Sequence, residues 1–219
     1  MRIGILGNGL MAEALGGQWV RAGHDVMIGG RKPERAADLA QRIGATSGTL
    51  QEATTYGEVL LLALPADAAV DTLRSLDIES GRTLIDCTNS VNHQSFTLDE
   101  PAMAEAISQA LPHLRVVKAF NLAPDAVWRE APREFEDARL GVPLCGDDAA
   151  AVEDVGILVR DLGCEPVAAG GLARARLLEA TAAFAIGVWV AGGDVRALFP
   201  PAAAAFGTVR PVTQRATER

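Results

Sequence analysis

Gly7, Gly9 and Ala12 stand in the spacing Gly-x-Gly-x-x-Ala, directly after the short apolar run Arg2–Leu6. That spacing lets a backbone receive a pyrophosphate. The first glycine permits a tight turn, the second lets the main chain approach the phosphates, and the small third residue lets a helix pack close to a sheet. Helix N–H groups without partners then face the anion, where the helix dipole favours negative charge. The run Gly7, Asn8, Gly9, Leu10 and Met11 is therefore read as the phosphate-binding turn of a dinucleotide site.

The second chemical signal lies one strand on, in Ile28-Gly29-Gly30-Arg31-Lys32-Pro33-Glu34-Arg35. A site for NAD places a carboxylate there to accept from the ribose hydroxyls. Asp25 is at the wrong end of the strand, and three cations occupy the expected place. Cations at a helix start are electrostatically disfavoured unless an anion joins them. Gly30, Arg31, Lys32 and Arg35 are accordingly read as the pocket for a 2′-phosphate. Arg31 would grip it through two parallel bonds and Arg35 would add charge one helical turn on. The cofactor implied is NADP(H) rather than NAD.

In an open parallel sheet a ligand lies beyond the carboxyl ends of the strands. The residues at those ends are Ala63-Leu64-Pro65, Asp86-Cys87-Thr88-Asn89 and Lys118 to Pro124, the last including Asn121 and Ala123. Pro65 gives a rigid turn suited to pass under a nicotinamide ribose. Asn89 and Asn121 read either as loop caps or as hydrogen-bonding groups for nicotinamide or substrate. Acid–base candidates are few: His93 in the crevice loop, Asn121 and Asp86. No Gly-x-Ser-x-Gly or His-Glu-x-x-His run is present. Cys87, Cys145 and Cys164 lack metal-ligand spacing, so no metal site is expected.

Strands must position these groups, and the pattern supplies them. Strands are expected at Arg2–Leu6, Asp25–Ile28, Ala45–Ser47, Glu58–Leu64, Thr83–Asp86, Arg115–Ala119, Val142–Cys145 and Glu165–Ala168. Helices are expected at Leu10–Ala22, Pro33–Ile43, Leu50–Thr55, Ala68–Leu76, Glu100–Leu111, Asp148–Leu162 and about Ala173–Val190. Such alternation implies an α/β fold, a doubly wound Rossmann-type parallel sheet with a short C-terminal helical cap. Residues 1–170 form the nucleotide-binding domain in this reading, 171–199 the cap or dimer segment and 200–219 a loose tail. In the last helix Leu177, Thr181, Phe184 and Val188 share one face. That face is expected to be buried, either on the main domain or against a second subunit.

The chain has 219 residues, 49% of them apolar, enough for a sizeable core. Its net charge of −8 argues against nucleic acid or an anionic membrane surface as partner. No apolar run reaches spanning length and the chain opens in a strand, so a cytoplasmic protein without a signal peptide is expected.

With these residues assembled, the chain resembles the NADP oxidoreductases that depend on the deazaflavin coenzyme F420. The resemblance rests on Gly7 to Ala12, Gly30-Arg31 with Arg35, Ala63 to Pro65, Lys118-Ala-Phe-Asn121, Val142 to Asp148 and Leu172 to Glu179. It runs from residue 1 to about residue 193. It implies that the glycine turn holds the pyrophosphate, that Arg31 and Arg35 bind the 2′-phosphate, and that Leu64-Pro65 lines the nicotinamide. It also implies a homodimer contact through the C-terminal helices. Two departures stand out: Gly30 replaces a hydroxyl residue, and the stretch Phe199–Arg219 differs from the family's usual ending. The function implied is hydride transfer between NADP(H) and a small-molecule substrate, F420 foremost. The alternatives are a reductase of a small carbonyl or imine, and a non-catalytic NADPH sensor.

Overall fold

The computed structural model describes residues 1–92, 94–98, 102–130, 133–135 and 138–198. Its first half is a succession of strand–helix units. β1 (Arg2–Leu6), β2 (Asp25–Gly29), β3 (Thr46–Gly48), β4 (Val59–Leu62), β5 (Thr83–Asp86) and β6 (Arg115–Lys118) all run parallel. β4 and β5 are buried along their whole length; β4 reads as an unbroken apolar run for that reason, whereas β5 carries the buried polar residues Thr83 and Asp86 at its ends. Between the strands lie α1 (Leu10–Arg21), α2 (Pro33–Ile43), α3 (Leu50–Tyr56), α4 (Ala66–Arg74) and α5 (Met103–Ala110).

Local chemistry sets these boundaries. Pro33 takes the first helical position of α2, and Gly44 closes that helix in the left-handed conformation, φ 77°. Thr49 and Glu52 exchange bonds as a capping box at the start of α3. That helix sits tightly on β1 and β2: a Cβ on Gly4 would lie 2.1 Å from the Ala53 carbonyl oxygen, and one on Gly29 2.7 Å from the Ala53 Cβ.

After β6 the fold departs from simple alternation. A short helix, α6 (Asp125–Arg129), packs Trp128 against α1, and the hairpin β7 (Glu134–Phe135) and β8 (Ala138–Arg139) follows. β9 (Gly141–Gly146) then joins β6 antiparallel, and β10 (Glu165–Gly170) lies parallel to β9 after α7 (Ala149–Asp161). The strand order is β10-β9-β6-β5-β4-β1-β2-β3. The all-parallel expectation is thus corrected for the last two strands. The intervening helix and hairpin bring the chain back at the opposite end of the sheet.

A final helix, α8 (Ala175–Val190), packs on α5. It buries Ala175, Glu179, Ala182, Ala183 and Ala185, while Leu177 and Phe184 are about half exposed, at 51% and 52%. The alternative that the Leu177–Phe184 face forms intramolecular core is therefore overturned. Small alanines let the helix approach the domain closely and leave the large side chains outside. No described helix is long and apolar enough to cross a membrane. The 200–219 segment lies outside the described residues.

Candidate functional site

The carboxyl ends of the parallel strands open on one cavity of about 1100 Å³. Its rim and floor include Gly7 to Met11, Gly30 to Lys32, Arg35, Ala63 to Ala66, Cys87 to Asn89 and Phe120, Asn121 and Ala123 to Asp125. All fifteen residues expected at the cofactor therefore fall on one surface.

The glycine turn differs from a merely structural one. Gly7 adopts φ +126°, and a Cβ there would sit 2.2 Å from the Ala63 carbonyl oxygen. Gly9 precedes α1 without any side-chain cap, and a Cβ there would meet nothing within 4 Å. The first glycine is demanded by the fold, whereas the second leaves open space in front of an uncapped helix. That is the shape a pyrophosphate needs. Gly7→Ala should therefore unfold or strongly destabilise the protein. Gly9→Val should leave the thermal midpoint within about 2 °C yet weaken NADPH at least roughly tenfold, a 1.4 kcal/mol effect. Parallel thermal melts and calorimetric titrations would separate the two.

Beyond β2, the start of α2 repeats the theme with charge. Lys32 is the N-cap residue and its side chain caps nothing. Arg31, Lys32 and Arg35 are exposed and all border the cavity. Among the described residues none of the three forms an ion pair, whereas Arg42, on the same helix, bonds Glu13 and Asp38. A triad of cations without ion-pair partners among the described residues, around a helix start without a side-chain cap, can hold an anion by its charge. Gly30 lets its neighbours close in: a Cβ there would lie 3.1 Å from the Ala36 Cβ and 3.2 Å from Asn8 Nδ2. The Asn8 amide thus stands close to where the hydroxyl side chain expected from the resemblance would project.

At the other end of the cavity the acid–base candidates separate. Asp86 is fully buried and does not line the cavity. One of its oxygens accepts from the Thr88 N–H and hydroxyl, at 2.9 and 2.6 Å, and the other from Lys118 Nζ at 2.9 Å. Lys118 also donates to the Thr88 carbonyl, 2.5 Å, and to Glu179 of α8, 2.9 Å. The second Glu179 oxygen accepts from the Met103 N–H at the start of α5. Burial pushes the Lys118 ammonium toward neutrality, but the Asp86 and Glu179 carboxylates together outweigh it and hold its pKa above the ordinary lysine value. This closed network is structural, and Asp86 has no route to a substrate.

His93 lies outside the described residues. Cys87 borders the cavity, but burial and the neighbouring Asp86 charge push its thiol up to about 12, so it is a neutral wall group bonded to the Leu62 carbonyl. Asp125 is held by Arg129. Asn89 and Asn121 are joined through their amides beside the cavity. Among the described residues no cluster of three or more metal-ligating side chains occurs.

Sequence reasoning passed over Lys118, Glu179, Thr88 and Phe120 as architects of this site. The signal was present for two of them: a lone cation inside an apolar strand and a lone carboxylate inside an apolar helix need each other. Phe120 gave no such signal. It takes φ 65°, rare for a bulky residue, with its ring wedged edge-on between Trp19 and Trp128 at 5.8 and 5.4 Å.

Comparison with known proteins agrees with this geometry. Residues 2–90, the segment that carries the glycine turn and the cations, match the family described as NADP oxidoreductase, coenzyme F420-dependent. The chain is 30% identical over 179 residues to the rat metalloreductase STEAP3, covering 82% of this chain and 36% of that protein. It is 25% identical over 177 residues to human metalloreductase STEAP2. The chain thus spans little more than a third of the length of these relatives. A crystal structure from Arthrobacter sp. FB24, provisionally named an F420-dependent NADP-reductase, superposes with a TM-score of 0.77 at 22% identity. That match covers 87% of this chain and 95% of the other. A Pseudomonas imine reductase shares the fold at TM-score 0.67 and 20% identity, over 87% of this chain and 63% of that one.

Proposed function

We infer that this chain, whose residues 2–90 match the coenzyme F420-dependent NADP oxidoreductases, transfers a hydride between NADP(H) and a deazaflavin such as F420. The observation that carries the NADP half is the unpaired cation triad Arg31, Lys32 and Arg35 on the same cavity as Gly9 and Pro65. Bound NADPH would supply the hydride. Gly9 and the uncapped start of α1 would hold its pyrophosphate, and Leu64-Pro65 would pass under the reactive ring. The apolar wall of Ala63, Leu64, Pro65, Phe120 and Ala123 would exclude water and stack a flat partner.

The lining also bears on the hydride acceptor. Reducing a carbonyl or imine calls for a proton donor near the reacting atom. Among the described residues the titratable lining is Arg31, Lys32, Arg35, Cys87 and Asp125. The cations belong to the phosphate end, the thiol stays protonated and Asp125 is engaged by Arg129. A deazaflavin needs no protein acid at the moment of transfer, and the apolar wall of the described lining suits its flat ring.

Mixing the protein with NADPH and oxidised F420 while following both absorbances tests this. Oxidation of NADPH only when the deazaflavin is present supports it. Turnover with a cyclic imine or ketone instead favours the small-substrate reductase, and binding without turnover favours a sensor. The same reading places the protein in the cytoplasm and assigns the exposed face of α8, with Leu177, Phe184 and Trp189, to a second copy of the chain. Sedimentation should then show a dimer that Phe184→Lys converts to a folded monomer; a monomeric parent protein sinks that part.

A further inference from the structure

Asn89 and Asn121 end up side by side because β5 and β6 are neighbours, and both border the cavity. Their amide orientations are forced. Asn89 Nδ2 donates to the Asn121 backbone carbonyl at 2.8 Å, so the Asn89 oxygen must face the other side chain. Asn121 Nδ2 donates to that oxygen at 2.9 Å. The Asn121 Oδ1 is then left buried with no partner, in a residue only 5% exposed. Reversing either amide would set like against like, so the orphan acceptor is built in.

The backbone just before it is costly as well. Phe120 holds φ 65° only because Trp19 and Trp128 clamp its ring. An unsatisfied carbonyl and a strained turn fall in consecutive residues that both border the cavity, the kind of cost that a bound ligand can offset. The position says which end of the ligand this is. β6 lies four strands from β2, roughly 19 Å at ~4.8 Å per strand, so Asn121 faces the end of the nucleotide opposite the cations.

We propose that Asn121 recognises the carboxamide of the pyridine ring, its amide turning from Asn89 into the cavity when the ligand enters. A primary carboxamide presents a donor and an acceptor side by side, the same edge that Asn121 presents. It can therefore give the orphan oxygen a donor and take over the bond now made to Asn89. Pinning the carboxamide fixes which face of the ring meets the second substrate, so Asn121 is a positioning residue. This inference rests on the NADP reading above.

Calorimetric binding tests it with NADP⁺, its 3-acetylpyridine analogue (a methyl ketone without N–H) and its nicotinic acid analogue (a carboxylate). The protein should prefer NADP⁺ to both analogues by about tenfold, the value of one well-placed hydrogen bond in a buried site. Asn121→Ala should bind NADP⁺ and the 3-acetyl analogue within about twofold of each other. Equal binding of NADP⁺ and the 3-acetyl analogue by the parent protein overturns the proposal, and that comparison needs no variant to fold. Since the analogue keeps every ribose hydroxyl, it also excludes a sugar contact as the explanation. Retained preference in Asn121→Ala overturns it too. Failure to bind any of the three would overturn the NADP reading and this proposal together, whereas indiscriminate binding removes only the latter.

Discussion

Replacing Arg31 by alanine is expected to weaken NADPH by roughly 10- to 100-fold while changing NADH by less than about twofold. The magnitude follows from hydrogen bonds to a charged group, each about 1.5–3 kcal/mol when well placed, with tenfold per 1.4 kcal/mol. Arg31 and Arg35 are exposed cavity-rim residues with no carboxylate partner among the described residues, so removing one leaves no stranded charge behind. The loss should therefore appear in binding and not in folding. Arg31 precedes Pro33 and the helix, and its planar fork suits a bidentate grip. Arg35, one turn into α2, offers a more distant charge, so Arg35→Ala should cost less. Because the site is open to solvent, affinity for NADPH should also fall as salt rises, and that dependence should flatten in Arg31→Ala. Titrations of both coenzymes at two ionic strengths check all of this. Equal losses for NADPH and NADH would place the guanidinium on a part of the nucleotide the two share, and the phosphate assignment would fail.

The same contrast explains what could be read from the chain alone. Gly7, Gly9, Pro33 and Gly44 act on their own few residues of backbone, so β1, α1, β2 and α2 were legible to within a residue or two. The cavity lining was legible for a related reason: in a parallel sheet every strand end faces the same crevice, so naming the strand ends names the site. The sense of β9 was not legible. Nothing in Gly141–Gly146 records that α6 and a hairpin have reversed the chain before it. The last helix misled because apolar content was equated with burial. On α8 it is alanine and a carboxylate that go inside, and Leu177 and Phe184 that stay out. The Lys118 network escaped notice because its partners lie 32 and 61 residues away, and only the folded sheet brings them together.

That network sets the second large effect. Lys118→Met should lower unfolding stability by about 3–5 kcal/mol, because it leaves Asp86 and Glu179 facing each other in a dry interior with no cation between them. In a chain of this size that is a fall in thermal midpoint of roughly 6–20 °C. Removing one of the two stranded charges as well, with Glu179→Leu added to Lys118→Met, should recover part of the loss, since Asp86 then remains the single uncompensated carboxylate of the network. The pH dependence has a definite sign. Lys118 has its pKa raised on folding, so its contribution is complete below the ordinary lysine value of 10.5 and is lost as pH climbs through the higher folded value. The parent protein should therefore lose denaturant resistance above about pH 10.5 in a way that Lys118→Met does not. The consequence reaches the site, because Lys118 also holds the Thr88 carbonyl and α8 beneath the cavity. NADPH should bind the folded variant more weakly even at neutral pH. A variant within about 1 kcal/mol of the parent in chemical denaturation would mean that these three charges do not meet in the folded protein.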